Sequence, residues 1–192
     1  GGGGLIAGCA IALRELSPRT QVLGVQSERY PSMAQALAGR GGAAESPRTG
    51  GSTVAEGIGV ARPGVLTREI LAALGVEIAV VPEARIEEAL ALLLQIEKTL
   101  VEGAGAAGLG AMLALPGAFR GKRVGLVLTG GNIDNRLLVA ILQRQLVRER
   151  RLFRLAVPLP DQAGSLARLC TAIGELGGNI NNVTHDRTFV SR

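Results

Sequence analysis

Apolar residues along the chain alternate between short continuous runs and longer stretches with helical spacing. Short runs at 22–26, 77–81 and 124–129 predict three buried strands. Helical spacing predicts helices at 4–16, 32–38, 66–74, 83–101, 106–115 and 133–149, and the Gly-, Ser- and Pro-rich stretch 39–53 predicts a surface loop. Strands that alternate with helices are typical of parallel sheets. The predicted fold class is therefore α/β, with an open, twisted, mainly parallel sheet and helices on both faces.

The pattern changes near residue 148. A charged stretch at 148–152 is followed by an alternating run at 153–157, a helical pattern from Leu166 to Leu176, and a second strand-like run at 179–184. This order predicts a linker at 148–152 and the beginning of a separate small βαβ domain at 153–192. The last residue comes before such a unit would close its sheet.

Composition narrows the classes of partner. Of the 192 residues 47% are hydrophobic, and the net charge is +5, but the aromatic residues are only three Phe and one Tyr. With few rings to stack on bases and no nucleic-acid-binding signature, we expect no nucleic-acid partner. The apolar stretch 1–13 is shorter than a membrane span, so we expect no membrane partner.

The two cysteines, Cys9 and Cys170, are far apart in the sequence and have neither a Cys-x-x-Cys partner nor a nearby His. This spacing argues against a metal site or a redox pair. Reduced thiols are the default in the cytosol, so we expect a cytoplasmic protein.

Four consecutive glycines, Gly1 to Gly4, precede the first predicted helix. Glycine accepts positive φ and lets backbone approach an anion closely, and the first N–H groups of a helix have no intrahelical partner. Together with the helix dipole these donors favour a phosphate site. A flexible loop remains the alternative interpretation.

Two later glycine motifs compete with this site. Residues 103–108 match G-x-G-x-x-G, but a helix precedes them and no acid follows about 20 positions later, so close helix packing is favoured over a nicotinamide site. Thr129-Gly-Gly-Asn-Ile-Asp134 follows a predicted strand, where a hydroxyl is placed to meet a ligand. Alternatively, Thr129 only ends the strand and Asn132 caps the next helix.

Five segments, in this order and spacing, resemble the threonine dehydratase (threonine ammonia-lyase) family, which has the tryptophan-synthase-β-like pyridoxal-phosphate fold of type II. They are Gly-Gly-Gly-Gly-Leu-Ile-Ala-Gly at 1–8, Gly-Val-Gln-Ser-Glu at 24–28, Thr-Val-Ala-Glu-Gly at 53–57, Val-Glu-Gly-Ala-Gly-Ala at 101–106 and Thr-Gly-Gly-Asn-Ile-Asp at 129–134. The resemblance makes residues 1–147 the C-terminal part of a catalytic domain whose N-terminal half is missing. Residues 153–192 resemble the start of an ACT domain, a regulatory α+β module of the ferredoxin type.

The resemblance implies pyridoxal 5'-phosphate as the cofactor. Its implied binding residues are Gly1, Gly2, Gly3, Gly4, Leu5, Thr129 and Glu102. Thr129, where the family more often has serine, would face the pyridine nitrogen, and Glu102 would lie near the cofactor or substrate unless it is an ordinary loop carboxylate. Glu56 matches a position that is acidic in relatives with a nearby cation, which implies a mono- or divalent cation site.

The implied reaction is the β-elimination of L-threonine to 2-oxobutanoate and ammonia, in isoleucine biosynthesis or threonine catabolism. The family's Schiff-base lysine belongs to the missing half, and neither Lys98 nor Lys122 has its sequence context. No catalytic residue is therefore predicted here, and we expect the chain to be inactive alone. The alternatives are a related serine or threonine lyase or racemase, and a non-catalytic regulatory module.

In the ACT-like tail, the resemblance places an amino-acid effector near Gly164, Leu166 and Asn179, although Ala163 replaces the usual proline. His185 is predicted to be an exposed residue of the second strand rather than a ligand. The full-length protein is expected to be a homo-oligomer.

Overall fold

The computed structural model describes residues 1–39 and 51–186. The chain divides into two compact units, Gly1–Leu152 and Phe153–Arg192. The predicted surface loop at 39–53 falls largely outside the described residues.

The first unit contains seven α-helices among its described residues. They are α1 (Gly4–Leu16), α2 (Ser32–Leu37), α3 (Val65–Ala73), α4 (Glu83–Gln95), α5 (Gly103–Ala114), α6 (Pro116–Phe119) and α7 (Asn135–Arg148). The strands are β1 (Leu23–Ser27) and β2 (Glu77–Val81), and a 3-10 helix spans Glu56–Ile58. No helix in the described part of the chain is both long and apolar enough to cross a membrane.

β1 and β2 pair in parallel, in register from Leu23 opposite Glu77 to Ser27 opposite Val81. The predicted α/β class with a parallel sheet is confirmed, although the sheet is small. The main core packs β2 against α4, α5 and α7, with Ile86, Ala106 and Ile141 fully buried. This packing fixes the starts of α5 and α7, and both helix starts border the candidate site.

Two ion pairs that share the buried Glu87 carboxylate join α4 to α7. Glu87 accepts hydrogen bonds from Arg144 Nη2 at 2.7 Å and Arg148 Nη2 at 2.5 Å. Burial alone would raise the pKa of the Glu87 carboxyl, but the hydrogen bonds and charges of the two arginines outweigh burial and lower that pKa. The carboxylate is therefore held in its charged form between the two helices.

The third predicted strand, 124–129, is wrong for this structure. These residues have no strand assignment, and Val127 is 65% exposed. A β-strand exists only when a neighbouring strand accepts and donates its backbone hydrogen bonds, and no such neighbour pairs with 124–129 in the described residues. The predicted helix at 83–101 is also too long, since α4 ends at Gln95.

The second unit contains α8 (Ser165–Glu175), as the helical pattern predicts. The two strands predicted at 153–157 and 179–184 are wrong, because residues 153–186 contain no strand. Of the predicted α+β ACT-like arrangement the described residues contain only a helix, and the resemblance to an ACT domain stays a prediction. His185 is exposed, but it does not lie on a strand.

Candidate functional site

A cleft of about 290 Å³ opens at the start of α5. Its walls come from the 3-10 helix, the first turn of α5 and the loop that leads into α7, and they include Glu56, Gly57, Glu102, Asn132 and Asp134. Three separate sequence motifs therefore meet at one place. In the sequence these motifs lie far apart and are linked only by the family resemblance.

Glu102 occupies the centre of this arrangement as the N-cap residue of α5. Its backbone N–H donates to the Gly130 carbonyl at 3.1 Å. A Cβ at Gly130, which has φ +69°, would lie 2.6 Å from Glu102 Oε1, and a Cβ at Gly57 would lie 3.0 Å from the same atom. The Glu102 carboxyl group therefore occupies space that side chains at these two positions would take in its present conformation.

The glycines of the 103–108 motif serve close backbone packing. A Cβ at Gly103 would lie 2.0 Å from the Val54 carbonyl oxygen, and a Cβ at Gly105 would lie 2.2 Å from the Thr129 carbonyl oxygen. α5 thus lies directly against the segments on both sides of the cleft. This contact explains the two glycines without a dinucleotide.

The glycine loop at the start of the chain has a defined conformation. Gly3 has φ +90° and is the N-cap residue of α1, with no side-chain cap. The Gly2 carbonyl accepts a hydrogen bond from Thr67 Oγ1 at 2.6 Å and one from the Gly64 N–H at 3.2 Å. Since a helix leaves its first N–H groups without intrahelical acceptors, Gly4 and Leu5 offer donors suited to an anion.

The 3-10 helix connects the glycine loop to the cleft. A Cβ at Gly1 would lie 3.4 Å from Ile58 Cα, whereas Gly57 faces Glu102 on the cleft side. The structure therefore brings the predicted residues Gly1, Glu56, Glu102 and Thr129 into one connected region. Leu5 is exposed at the first turn of α1.

The predicted cation site, the two lysines and the predicted effector site gain less support from the described residues. Glu56 is exposed, and the described residues contain no group of three or more His, Cys, Asp or Glu side chains suited to a metal ion. Lys98 donates to the carbonyl of Gln95 at the end of α4, and Lys122 is exposed. In the second unit, Gly164 caps the start of α8 with φ +84° and Leu166 lies in its first turn, whereas Asn179 follows the other end of the helix.

Two residues at or next to the cleft were not singled out from the sequence. Asp134, not Asn132, caps α7, and it accepts from the N–H groups of Arg136 at 2.9 Å and Leu137 at 3.0 Å. An Asp directly before a helical pattern was the available signal. Glu83, the first residue of α4, binds the Thr53–Val54 segment through its carboxylate.

The chain is similar to curated enzymes over nearly its whole length. It is 39% identical over 188 residues to the L-threonine ammonia-lyase of Thermotoga maritima. The matched residues cover 98% of this chain and 46% of that protein. It is 42% identical over 187 residues to the L-threonine ammonia-lyase of Geobacter sulfurreducens, covering 97% of this chain and 46% of that protein. The chain thus spans about half the length of these relatives.

Solved structures agree with the sequence relatives. The T.th. threonine deaminase is 40% identical, with a TM-score of 0.62 over 70% of this chain and 48% of that one. Maize serine racemase is 30% identical, with a TM-score of 0.62 over 76% of this chain and 45% of that one. Residues 1–130 match the family model described as pyridoxal-phosphate dependent enzyme. The chain therefore belongs to the family of pyridoxal-phosphate dependent enzymes.

Proposed function

We propose that this chain forms part of an L-threonine ammonia-lyase and supplies a large share of its pyridoxal-phosphate site. The observation that carries the proposal is the juxtaposition of the Gly1–Gly4 loop with the Glu102 cleft through the 3-10 helix. Similarity to two L-threonine ammonia-lyases over 97–98% of the chain supports the choice of reaction.

The residues present fit a phosphorylated, ring-shaped cofactor. A Cβ at Gly3 would lie 2.6 Å from Met33 Cε, so the loop keeps its tight turn only with glycine, and the turn leaves the N–H groups of Gly4 and Leu5 available for phosphate. The Glu102 cleft, of about 290 Å³, gives room for a flat ring. Thr129, whose backbone packs against Gly105 of α5, would contribute a neutral hydroxyl for a ring nitrogen.

When bound, pyridoxal phosphate supplies an electron sink for the bond broken at the substrate Cα. The residues of this chain hold and orient the group rather than transfer protons. A neutral hydroxyl at Thr129 does not favour a protonated ring nitrogen as a carboxylate would, which suits elimination of the threonine hydroxyl over transamination. The Glu102 carboxylate borders the same cleft.

Neither lysine of the chain is placed to serve the reaction. Lys98 is engaged by the carbonyl of Gln95, and Lys122 follows α6 in an exposed turn. The proton-transferring lysine would thus come from outside this chain, and the chain alone is expected to be inactive. The cation site at Glu56 is retained only as a proposal, with the ligands beyond Glu56 unassigned.

The second unit is proposed to be an ACT-like regulatory module. Gly164, with its left-handed conformation at the start of α8, and Leu166 would form the amino-acid effector site together with Asn179. The proposed enzyme is a cytoplasmic homo-oligomer. This assignment predicts that a free amino acid changes the activity of the enzyme without competing with threonine.

Cofactor binding is tested by titrating the 192-residue chain with pyridoxal phosphate and following cofactor absorbance. Gly3→Ala is expected to weaken binding at least about tenfold, because the added Cβ collides with Met33 and strains a positive φ. Gly8→Ala, in α1 with nothing within 4 Å of its Cβ, is the matched control and should bind normally. Equal binding by both variants would contradict the placement of the phosphate.

Catalysis is tested in two ways. Borohydride reduction of the chain with pyridoxal phosphate is expected to leave Lys98 and Lys122 without stoichiometric label. In the longer enzyme proposed to contain this chain, 2-oxobutanoate formation from L-threonine should exceed turnover of serine. The similarity to maize serine racemase makes a serine or threonine lyase or racemase the second candidate, and dominant serine racemisation would favour it.

A further inference from the structure

The Glu83 carboxylate joins three separate parts of the chain. Its Oε1 accepts from Ser27 Oγ and from Thr53 Oγ1, the latter at 2.7 Å, and its Oε2 accepts from the Val54 N–H at 2.7 Å. The Glu83 N–H in turn donates to Glu28 Oε1 at 3.1 Å. The carboxylate therefore has three hydrogen-bond donors, and it lies just beyond the carboxyl ends of both parallel strands.

The partners of Glu83 are themselves buried and fixed. Ser27 is 1% exposed and Thr53 is 6% exposed. Each hydroxyl also accepts a backbone hydrogen bond, Ser27 Oγ from the Arg29 N–H and Thr53 Oγ1 from the Ala55 N–H. Because both hydroxyls donate to one carboxylate, the ends of β1 and the 53–55 segment are locked to the start of α4.

This junction lies directly behind the cleft. Val54 lines the cleft and packs against Gly103, and Glu56 and Gly57 follow it in the cleft wall. Glu83 itself does not line the cleft. The direct hydrogen-bonded connection from Glu83 to the cleft wall runs through the 53–57 segment.

We propose that Glu83 is a positioning residue that fixes the Thr53–Gly57 wall and thereby the shape of the cleft. The proposal rests on the proposed function in so far as that wall borders the bound cofactor. It assigns a shared physical purpose to the Gly-Val-Gln-Ser-Glu and Thr-Val-Ala-Glu-Gly motifs, since Ser27, Glu28 and Thr53 all bond to Glu83.

The experiment measures amide hydrogen exchange at Val54 and Ala55 and pyridoxal-phosphate affinity in the full chain. Glu83→Ala removes the carboxylate that accepts from the Val54 N–H and from the hydroxyls of Ser27 and Thr53. Exchange at the Val54 and Ala55 amides should therefore rise at least about tenfold, and the affinity for pyridoxal phosphate should fall by a similar factor. Glu88→Ala is the matched control. It removes a carboxylate from the same helix, where Glu88 pairs only with Arg85 among the described ion pairs, and should change neither quantity.

Two milder variants keep the proposal testable if Glu83→Ala fails to fold. Thr53→Val removes one hydroxyl and leaves the Val54–Glu83 bond, and Glu83→Gln keeps one oxygen acceptor, so both should show the same changes at reduced size. Faster exchange without loss of affinity in these variants, or unchanged exchange, would overturn the proposal. If the unaltered chain binds no pyridoxal phosphate, the proposed function fails, and the exchange measurement still decides whether Glu83 fixes the 53–57 segment.

Discussion

Gly105 is the position where a single methyl group tests the close contact between α5 and the Thr129 segment. The residue is the third of α5, so Gly105→Ala should gain about 1 kcal/mol from helix propensity if nothing else changed. In the structure, however, the added Cβ would lie 2.2 Å from the Thr129 carbonyl oxygen and 3.1 Å from its carbonyl carbon. Both opposing atoms are backbone, so no side-chain rotation relieves the overlap.

The overlap is large on the scale of ordinary packing. Normal van der Waals contact for a Cβ begins at 3.4 Å, so α5 and the 129–130 segment must separate by more than an ångström. Forced insertion of a methyl group into packed structure costs about 1–3 kcal/mol. Because the opposing atoms are backbone and cannot rotate away, we place the cost at the upper end of that range, about 3 kcal/mol. Subtracting the helix-propensity gain of about 1 kcal/mol leaves a net destabilisation of about 2 kcal/mol, which lowers Tm by about 4–8 °C in a chain of this size.

The assay is thermal unfolding followed by far-ultraviolet circular dichroism, with pyridoxal-phosphate titration on the same samples. Gly108→Ala in the same helix is the control, because its Cβ would meet only Leu126 Cδ2, at 3.2 Å. The control should unfold at the same temperature as the unaltered chain or slightly above it and bind the cofactor normally. A Gly105→Ala protein that is as stable as the control would refute the argued contact between α5 and Thr129.

Two further predictions concern the helix pair beside the cleft. Glu87→Gln should lower the free energy of unfolding at pH 7 by about 1–3 kcal/mol, with the partial exposure of Arg144 and Arg148 limiting the effect. Because folding lowers the pKa of the Glu87 carboxyl, the ion pairs of Glu87 stabilise the fold above the ordinary pKa of 4.5, and this stabilisation is lost as pH falls through the folded-state pKa. The urea midpoints of Glu87→Gln and of the unaltered chain should therefore converge in acid. Asp134→Ala should lower the free energy of unfolding by about 1 kcal/mol, because it removes the cap that accepts a hydrogen bond from the Leu137 N–H. Asp134→Ser should retain most of the stability, because serine also caps helices. Equal urea midpoints for the two variants would contradict the capping role.

Much of the fold follows from local pattern. The helices beginning at Gly4, Ser32 and Glu83 start at or within a residue of their predicted positions, because apolar periodicity and the preceding glycine or proline act within one turn. The parallel pairing of β1 with β2 is likewise predictable, since the strands are separated by helices.

Contacts between distant segments are not accessible in the same way. Residues 124–129 have the composition of a strand, but strand formation depends on a neighbour that composition does not reveal. The role of Glu83 depends on donors 56 and 30 residues away. Resemblance alone predicts Glu102 near the site. Only the structure shows that its carboxyl group lies between Gly57 and Gly130.

The 3-10 helix Glu56–Ile58 touches the glycine loop at one end and the Glu102 cleft at the other. Three residues of such a helix span about 6 Å. The length of this element would therefore set the distance between the two ends of a ligand that is held at both places. Substitutions and length changes in this helix should therefore have different effects. A substitution at the exposed Glu56 alters the chemistry of one cleft wall, whereas an inserted or deleted residue changes the length of the ligand that the site accepts.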